Sequence, residues 1–495
     1  MIHRVTAQLY TVDLAVLLAY LVGIVAGGCL LARKSSTTEG FIAGGRSMAG
    51  WVIGLSIFGT YVSSISYIAN PGKSFGGNWN AFAFGIGLPL AAWIATRWFV
   101  PFYRRVGEVS AYAHLENRFG AWARVYGVVC FLLTQLARIG TILYLVALAV
   151  APLTGWDVRW IILGTGVLII LYTLIGGIEA VIWTDVIQSL VLTAGILVSL
   201  GVLFTATPGG VTAVMDVAAK HEKFSLGSLG SSLTESTFWV VLVYGLFINL
   251  QNFGIDQCYV QRYAAAESEA AAKRSVWIGA LLYMPVSALL FLAGTALFAF
   301  YQLQPELLPA GTKPDEVFPF FIATQLPVGV TGLLVAAILA AAMSSVDSSL
   351  NSSATLILKD GFQRFSTKTR DERGEMRVLR FATLIVGLLG IGMALAMIDV
   401  KSALDAWWSL AGVFSGGMLG LFLLGTIARR ARNPAAVAGV SVGVLTIFWL
   451  ALSPQLPDSM DAFRNHLHHF MTIVIGTLVI LLVGLLVSRF TSRDS

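Results

Sequence analysis

Thirteen apolar stretches of membrane-spanning length constrain this chain more than any other feature of its sequence. They run at roughly 14–32, 47–70, 79–102, 124–152, 159–176, 179–204, 237–259, 275–301, 328–358, 379–398, 403–427, 434–452 and 468–488. Each is close to the length of about 20 residues that crosses a hydrocarbon core as a helix. A backbone N–H or C=O finds no water there, so such stretches close their own hydrogen bonds as α-helices. The expected fold is an all-α polytopic membrane protein with about 13 transmembrane helices. Charge is scarce enough to agree: 12% of the 495 residues are Asp, Glu, Lys or Arg, about half the share of a soluble domain.

The first stretch is followed, not preceded, by Arg33 and Lys34. That marks a span rather than a cleavable leader and puts the N-terminus outside. Thirteen crossings then leave the C-terminus in the cytoplasm. On this topology, with Arg124, Arg159 and Arg380 at span edges counted on the segments they adjoin, 22 of the 32 Lys and Arg residues fall on cytoplasmic segments, eight on external ones, and two, Arg97 and Arg138, within spans. The asymmetry is that of the positive-inside rule. The net charge of +6 therefore reflects topology and calls for no nucleic acid. The longest external segment, 205–236, is a candidate cover for the outer mouth, and 359–380 reads as a solvated or amphipathic connection. Cys29, Cys130 and Cys258 all sit in apolar runs and offer no disulfide framework.

One span changes character along its length. Residues 336–353 read AAILAAAMSSVDSSLNSS. At 3.6 residues per turn Ser344, Asp347, Ser348 and Asn351 share one stripe, with Ser345, Ser349 and Ser352 on the next. Convergent oxygens at bilayer depth can replace the hydration shell of a hard cation. Small hydroxylated residues also serve close helix packing, so the serines alone do not decide. Asp347 does, because an ionisable side chain inside a span is costly and marks an ion or substrate pathway.

Two further spans are interrupted. In the second, Gly59-Thr60, Ser63-Ser64, Ser66 and Asn70-Pro71-Gly72 weaken the helix. Either the helix is kinked, or it is unwound so that carbonyls are free for a cation and a half-helix N-terminus faces an anion. The 71–74 string PGKS lacks the earlier glycine of a phosphate loop, since Tyr67 stands there. The seventh span carries Asn249, Gln251, Asn252, Gly254 and Asp256. Interrupted helices five spans apart point to an inverted-repeat transporter. The division is then an extra helix in 1–46, a first five-helix repeat in 47–204, an external loop in 205–236, a second repeat in 237–427, and two added helices in 428–495.

With GGIEAVIWTDVIQ at 176–188, DQCYVQRY at 256–263, AAAMSSVDSSLNS at 340–352 and GLFLLG at 420–425, the chain resembles the sodium:solute symporter family. Within that family it looks most like the bacterial sialic acid branch, including LLPAG at 307–311. The resemblance implies a first sodium site from the carbonyls of Gly59, Val62 and Ala341 with the hydroxyls of Ser344 and Ser345. It also implies a second site, as in some members, from Asp185 of the WTD motif with Ser344, Asp347 and Ser348. Asp347 stands where the sialic acid branch has serine, and two carboxylates there either hold a second sodium more tightly or share a proton. A salt bridge or a helix cap is the competing role for Asp185. The resemblance further implies a bacterial-type inner membrane, sodium as the coupling ion, and no cofactor or obligatory protein partner.

Arg138 lies mid-span, where a guanidinium needs a partner. In the sialic acid branch the matching arginine faces the substrate carboxylate. An internal pair with Asp185 or Asp347 is the competing reading. The candidate substrate set is Arg138 with Tyr61, Ser63, Ser64, Ser66 and Asn249. Gly85 stands where the branch has a glutamine contact. Trp407 and Trp408 either stack on a sugar ring or, more simply, anchor the eleventh span at the interface. Gly412, Gly416 and Gly420 read as a close helix contact, and His466, His468 and His469 as an interfacial loop, lacking the partners of a metal site. Neither G-x-S-x-G nor H-E-x-x-H supports an enzyme, and the end of the sequence at Ser495 leaves no room for a following signalling domain. A channel is disfavoured by the paired interruptions. Sodium-coupled symport of an organic solute, a sugar acid or else a neutral sugar, is the expected function.

Overall fold

The computed structural model describes residues 10–32, 37–365, 371–400, 403–428 and 430–491. Arg33, Lys34 and Arg429, which carry part of the orientation argument, lie outside them. Among the described residues, fifteen helical segments cross or half-cross the bundle. They are α1 (Thr11–Ala32), α2 (Gly50–Tyr61), α3 (Ile65–Gly76), α4 (Asn80–Val106), α5 (Ala121–Thr154), α6 (Val158–Leu174), α7 (Gly176–Ala206), α8 (Phe238–Ile255), α9 (Gln257–Ala265), α10 (Glu269–Leu303), α11 (Val330–Leu356), α12 (Glu372–Ala396), α13 (Ala403–Ile427), α14 (Asn433–Leu452) and α15 (Met471–Thr491). Eleven are long and apolar enough to cross a membrane alone, the bent pair α2–α3 makes one more, and the shorter apolar α6 completes the thirteen expected.

Three junctions depart from helical geometry, and at one of them Asp256, extended at φ −74° and ψ 123°, parts α8 from α9 and caps α9 by accepting from the Cys258 amide (2.8 Å). Helices α6 and α7 run together except at Gly177, whose φ of 60° and ψ of −176° suit a residue without a side chain. Between α2 and α3 the axis bends by 55°. Val62, at φ −86° and ψ 78°, ends the first half. The second half opens with a widened π-helical turn, Ile65–Ala69. Pro71 then sits in the first turn of the following helix, where its missing N–H costs least.

The serine-bearing α11 is the centre of the bundle. It packs on α7, α5, α1, α12 and α2, and every residue across 334–356 is buried. Asp13 at the start of α1 accepts the Gly329 and Gly332 amides (2.7 and 2.9 Å), capping the positive end of α11. Helices α13, α14 and α15 form a side cluster. Of the three glycines expected to make a close contact, a Cβ on Gly416 or Gly420 would meet the α15 backbone at Ile473 or Thr477, but Gly412 faces open space. The 205–236 loop contains a helix, Gly210–Lys220, and lies on the far end of α3. Lys223 Nζ donates to the Phe75 and Gly77 carbonyls (2.8 and 2.5 Å), and the Trp79 amide donates to Ser225.

Candidate functional site

Breaking the second span brings its carbonyls against the hydroxyl face of α11. Ser344 Oγ donates to the Gly59 carbonyl (3.0 Å) and lies 3.2 Å from that of Ala341. Ser345 Oγ donates to the Thr60 carbonyl (3.3 Å). Thr60, not Val62, thus supplies the carbonyl that meets Ser345; Val62 supplies the turn. Gly59 is required by space, since a Cβ there would stand 2.7 Å from Ser189 Oγ and 3.4 Å from the Asp185 carbonyl.

One helical turn further along α11 lies an ionic cluster with no solvent exposure. Asp185 Oδ2 accepts from Arg262 Nη2 (2.8 Å) and from Ser56 Oγ (2.5 Å). The same guanidinium donates to Ser56, to Thr60 Oγ1, to Ser348 Oγ (2.7 Å) and to the Cys258 carbonyl. Asp347 accepts from the Tyr172 hydroxyl (2.7 Å) and from the Ser348 amide (2.6 Å). The cluster therefore holds two carboxylates and one guanidinium, all fully buried. Asp185 Oδ1 and both amide atoms of Gln188, also fully buried, have no hydrogen-bond partner among the described residues. Asp185 does form a salt bridge, but with Arg262, a residue the hydropathy pattern assigns to a cytoplasmic connection.

Arg138 pairs with neither Asp185 nor Asp347. Its Nη2 donates to the Thr60 carbonyl (2.6 Å), and it borders a central cavity together with Tyr61, Ser63, Ser66, Gln135, Asp256 and Tyr259. Gln135 links Asp256 (3.3 Å) to Ser349 on α11 (2.7 Å). Asn249 lies beside the cavity, accepting from the Tyr61 hydroxyl (3.3 Å) and donating to the Phe84 carbonyl. Ser64 turns away, donating to the Ile142 carbonyl. Near Gly85 the wall is Tyr283, 3.3 Å from where a Cβ would be.

Trp408 departs from the simpler interface-anchor reading. It is buried, stacks on Phe84 (5.5 Å between centroids) and lines the cavity alongside Trp407. Lys73 of α3 donates to both oxygens of Asp405 on α13 (2.9 and 2.8 Å), the residue after the cavity-lining Leu404. Phe470, just before α15, stacks on Tyr244 (4.5 Å). His468 and His469 stack on each other beside it. Burial and then the charge of His469 push the His468 pKa down to about 4. The described residues hold no cluster of metal-ligating His, Cys, Asp or Glu.

Two interrupted helices, packed against one central helix and opening on a shared cavity, define a secondary transporter of the inverted-repeat type. The comparisons narrow that class. Residues 41–443 match the model of the sodium:solute symporter family, and the chain belongs to that family. It is 35% identical over 480 residues to the sodium/sialic acid symporter NanT of Aliivibrio fischeri, covering 96% of this chain and 92% of that one. To the sodium/sialic acid symporter SiaT of Proteus mirabilis it is 33% identical, over 96% and 94% of the two chains. A substrate-bound, outward-open sodium-coupled sialic acid symporter superposes with a TM-score of 0.90 at 31% identity, over 97% and 98% of the chains.

Proposed function

We propose that this protein is a sodium-coupled symporter of the inner membrane whose solute is a sugar acid of the sialic acid kind. The observation that carries the reading is Arg138. Its guanidinium has five N–H donors, and one bonds the Thr60 carbonyl at the edge of a cavity that also offers hydroxyls and aromatic rings. A desolvated guanidinium in that position favours a carboxylate, which it can grip with two parallel bonds. Identity to two symporters named for sialic acid supports the same solute. The N-terminus outside and the division into repeats at 47–204 and 237–427 belong to this proposal.

Sodium would enter between Gly59, Ala341, Ser344 and Ser345, with Val62 at the adjoining turn, a set of neutral oxygens suited to a monovalent hard ion. A second cation site is proposed at Asp185, Ser344, Asp347 and Ser348. Two observations fit it: the cluster is one positive charge short of neutrality, and Asp185 Oδ1 is buried without a donor. The Arg262 guanidinium already contacts Asp185 and Ser348, so the ion would share the cluster with that tethered cation. A neutral sugar is the second reading, favoured by Asp256, which lines the same cavity and offsets the charge of Arg138.

The test is uptake into proteoliposomes under an imposed sodium gradient, with a labelled sialic acid competed by its neutral amide and by neutral hexoses. Sodium-dependent uptake that resists the amide supports the sugar acid. Equal competition by the amide supports the neutral solute, and uptake indifferent to sodium refutes symport.

A further inference from the structure

We infer that the groove between α4 and α13 binds an anionic glycerophospholipid, its phosphate held by Arg97 and Arg105. Both arginines line this groove, whose walls are Trp98 and Phe102 on one side and Phe422, Leu423 and Ile427 on the other. Both are exposed. Neither has a hydrogen bond or ion pair with the protein among the described residues, in contrast to Arg104, which donates to the carbonyls of Tyr263 and Ala266. Arg97 lies inside a membrane-spanning helix, where a cation without a protein carboxylate must find its counter-charge in the lipid.

The surroundings set depth and orientation. Trp93 and Trp98 meet edge to face at 5.2 Å, each about half exposed (51% and 52%), as residues of an interfacial aromatic belt. Helix α4 stops at Val106, with Gly107 in the left-handed region at φ 72°, so Arg105 stands at its polar end. Eight residues apart, the two arginines share a face and are separated by about 12 Å along the axis. Long side chains that snorkel toward a headgroup can close such a gap from both directions. The apolar walls then take an acyl chain. Both components of the ligand, a phosphate and a hydrocarbon tail, have a counterpart in one groove.

The experiment uses the full chain in detergent, with phosphatidylglycerol or phosphatidylcholine of identical acyl chains added back. Lipid retention is read by native mass spectrometry and stability by the melting temperature. Wild type should retain phosphatidylglycerol preferentially and melt higher with it. R97Q/R105Q should retain it roughly thirty-fold less, from about a fivefold factor per basic residue at an anionic surface, while melting like wild type in phosphatidylcholine. R274Q, which removes a charge exposed at the start of α10, should behave as wild type. Inorganic phosphate alone should give no shift. If the double variant does not fold, R105Q alone should retain about fivefold less, on the same per-residue factor. Equal retention of the two lipids by wild type, an unimpaired arginine variant, or reproduction of the shift by free phosphate would each overturn the proposal.

Discussion

On the proposed two-sodium cycle, replacing Asp347 by Asn should convert a current-generating carrier into an electroneutral one. Asp347, Asp185 and Arg262 are fully buried, and their charges sum to minus one; a sodium at the proposed second site would neutralise them. Asp347 lies 2.6 Å from the Ser348 amide and 3.5 Å from its hydroxyl, so an ion on Ser348 is about 4 Å from the carboxylate. At an effective dielectric of 20 that attraction is about 4 kcal/mol. Desolvation offsets much of it, and a net loss of about 2 kcal/mol weakens the second ion roughly thirty-fold. Two sodium ions with a monoanionic solute move one positive charge per cycle; one ion moves none. At zero membrane potential a tenfold sodium gradient supports about 100-fold accumulation with two ions (about 2.8 kcal/mol) and about tenfold with one (about 1.4 kcal/mol). Proteoliposomes read both quantities: solute-evoked current on a supported membrane, and accumulation of labelled solute. The variant should keep sodium-driven uptake, lose the current and accumulate about tenfold less. A variant with wild-type current and accumulation refutes the charge argument.

Arg138→Lys should weaken binding of the acidic solute by about 1.5–3 kcal/mol, the worth of one hydrogen bond to a charged group, because lysine keeps the charge but not the guanidinium fork, and leave a neutral analogue nearly unaffected; competition binding separates the two. Ser344→Ala/Ser345→Ala should remain folded by melting temperature yet lose sodium dependence of uptake, because no hydroxyl then faces the Gly59 and Thr60 carbonyls. Gly59→Ala places a Cβ 2.7 Å from Ser189 Oγ and should cost about 1–3 kcal/mol as overpacking, visible as a lower melting temperature. His468 is held neutral by burial, beside His469, Lys73 and Asp405, with its pKa lowered from 6.5 to about 4. Its contribution to stability is therefore complete above pH 6.5 and declines as pH falls toward 4. His468→Gln should flatten the dependence of melting temperature on pH in that window.

The parts of this site legible in the sequence are those whose chemistry contradicts their surroundings. Ser344, Ser345 and Asp347 stand out because they interrupt an apolar span, and the α2–α3 break because Gly59, the serines and Pro71 cluster within it. Arg262 was hidden by the same criterion. It follows Gln257 and Gln261 in α9, a half-helix polar enough to read as a connection, so it counts as a topogenic charge until the fold buries it. Tyr172 and Gln135 are single polar residues in long apolar helices; their partners, Asp347 and Asp256, lie 175 and 121 positions away. Trp408 resembles an interface anchor because it opens a span. Only packing against Phe84 and Phe470 shows that it faces inward.

The Asp185–Arg262 pair also sets a schedule for making the protein. The two residues are 77 positions apart, and a ribosome adding about 5–20 residues per second takes roughly 4–15 s to travel from one to the other. During that interval α7 must enter the membrane with a carboxylate whose partner has not been synthesised, at a cost of about 2.5–3.5 kcal/mol on the translocon scale. The long apolar run on either side of Asp185 offsets this. Helix α9, with Gln257, Gln261 and Arg262, has no such run and depends on α7 already being in place. Insertion of the two halves is thus ordered by charge as well as by chain position. A substitution at Asp185 leaves the buried Arg262 without its carboxylate and should therefore lower the amount of folded protein in the membrane as well as alter ion coupling.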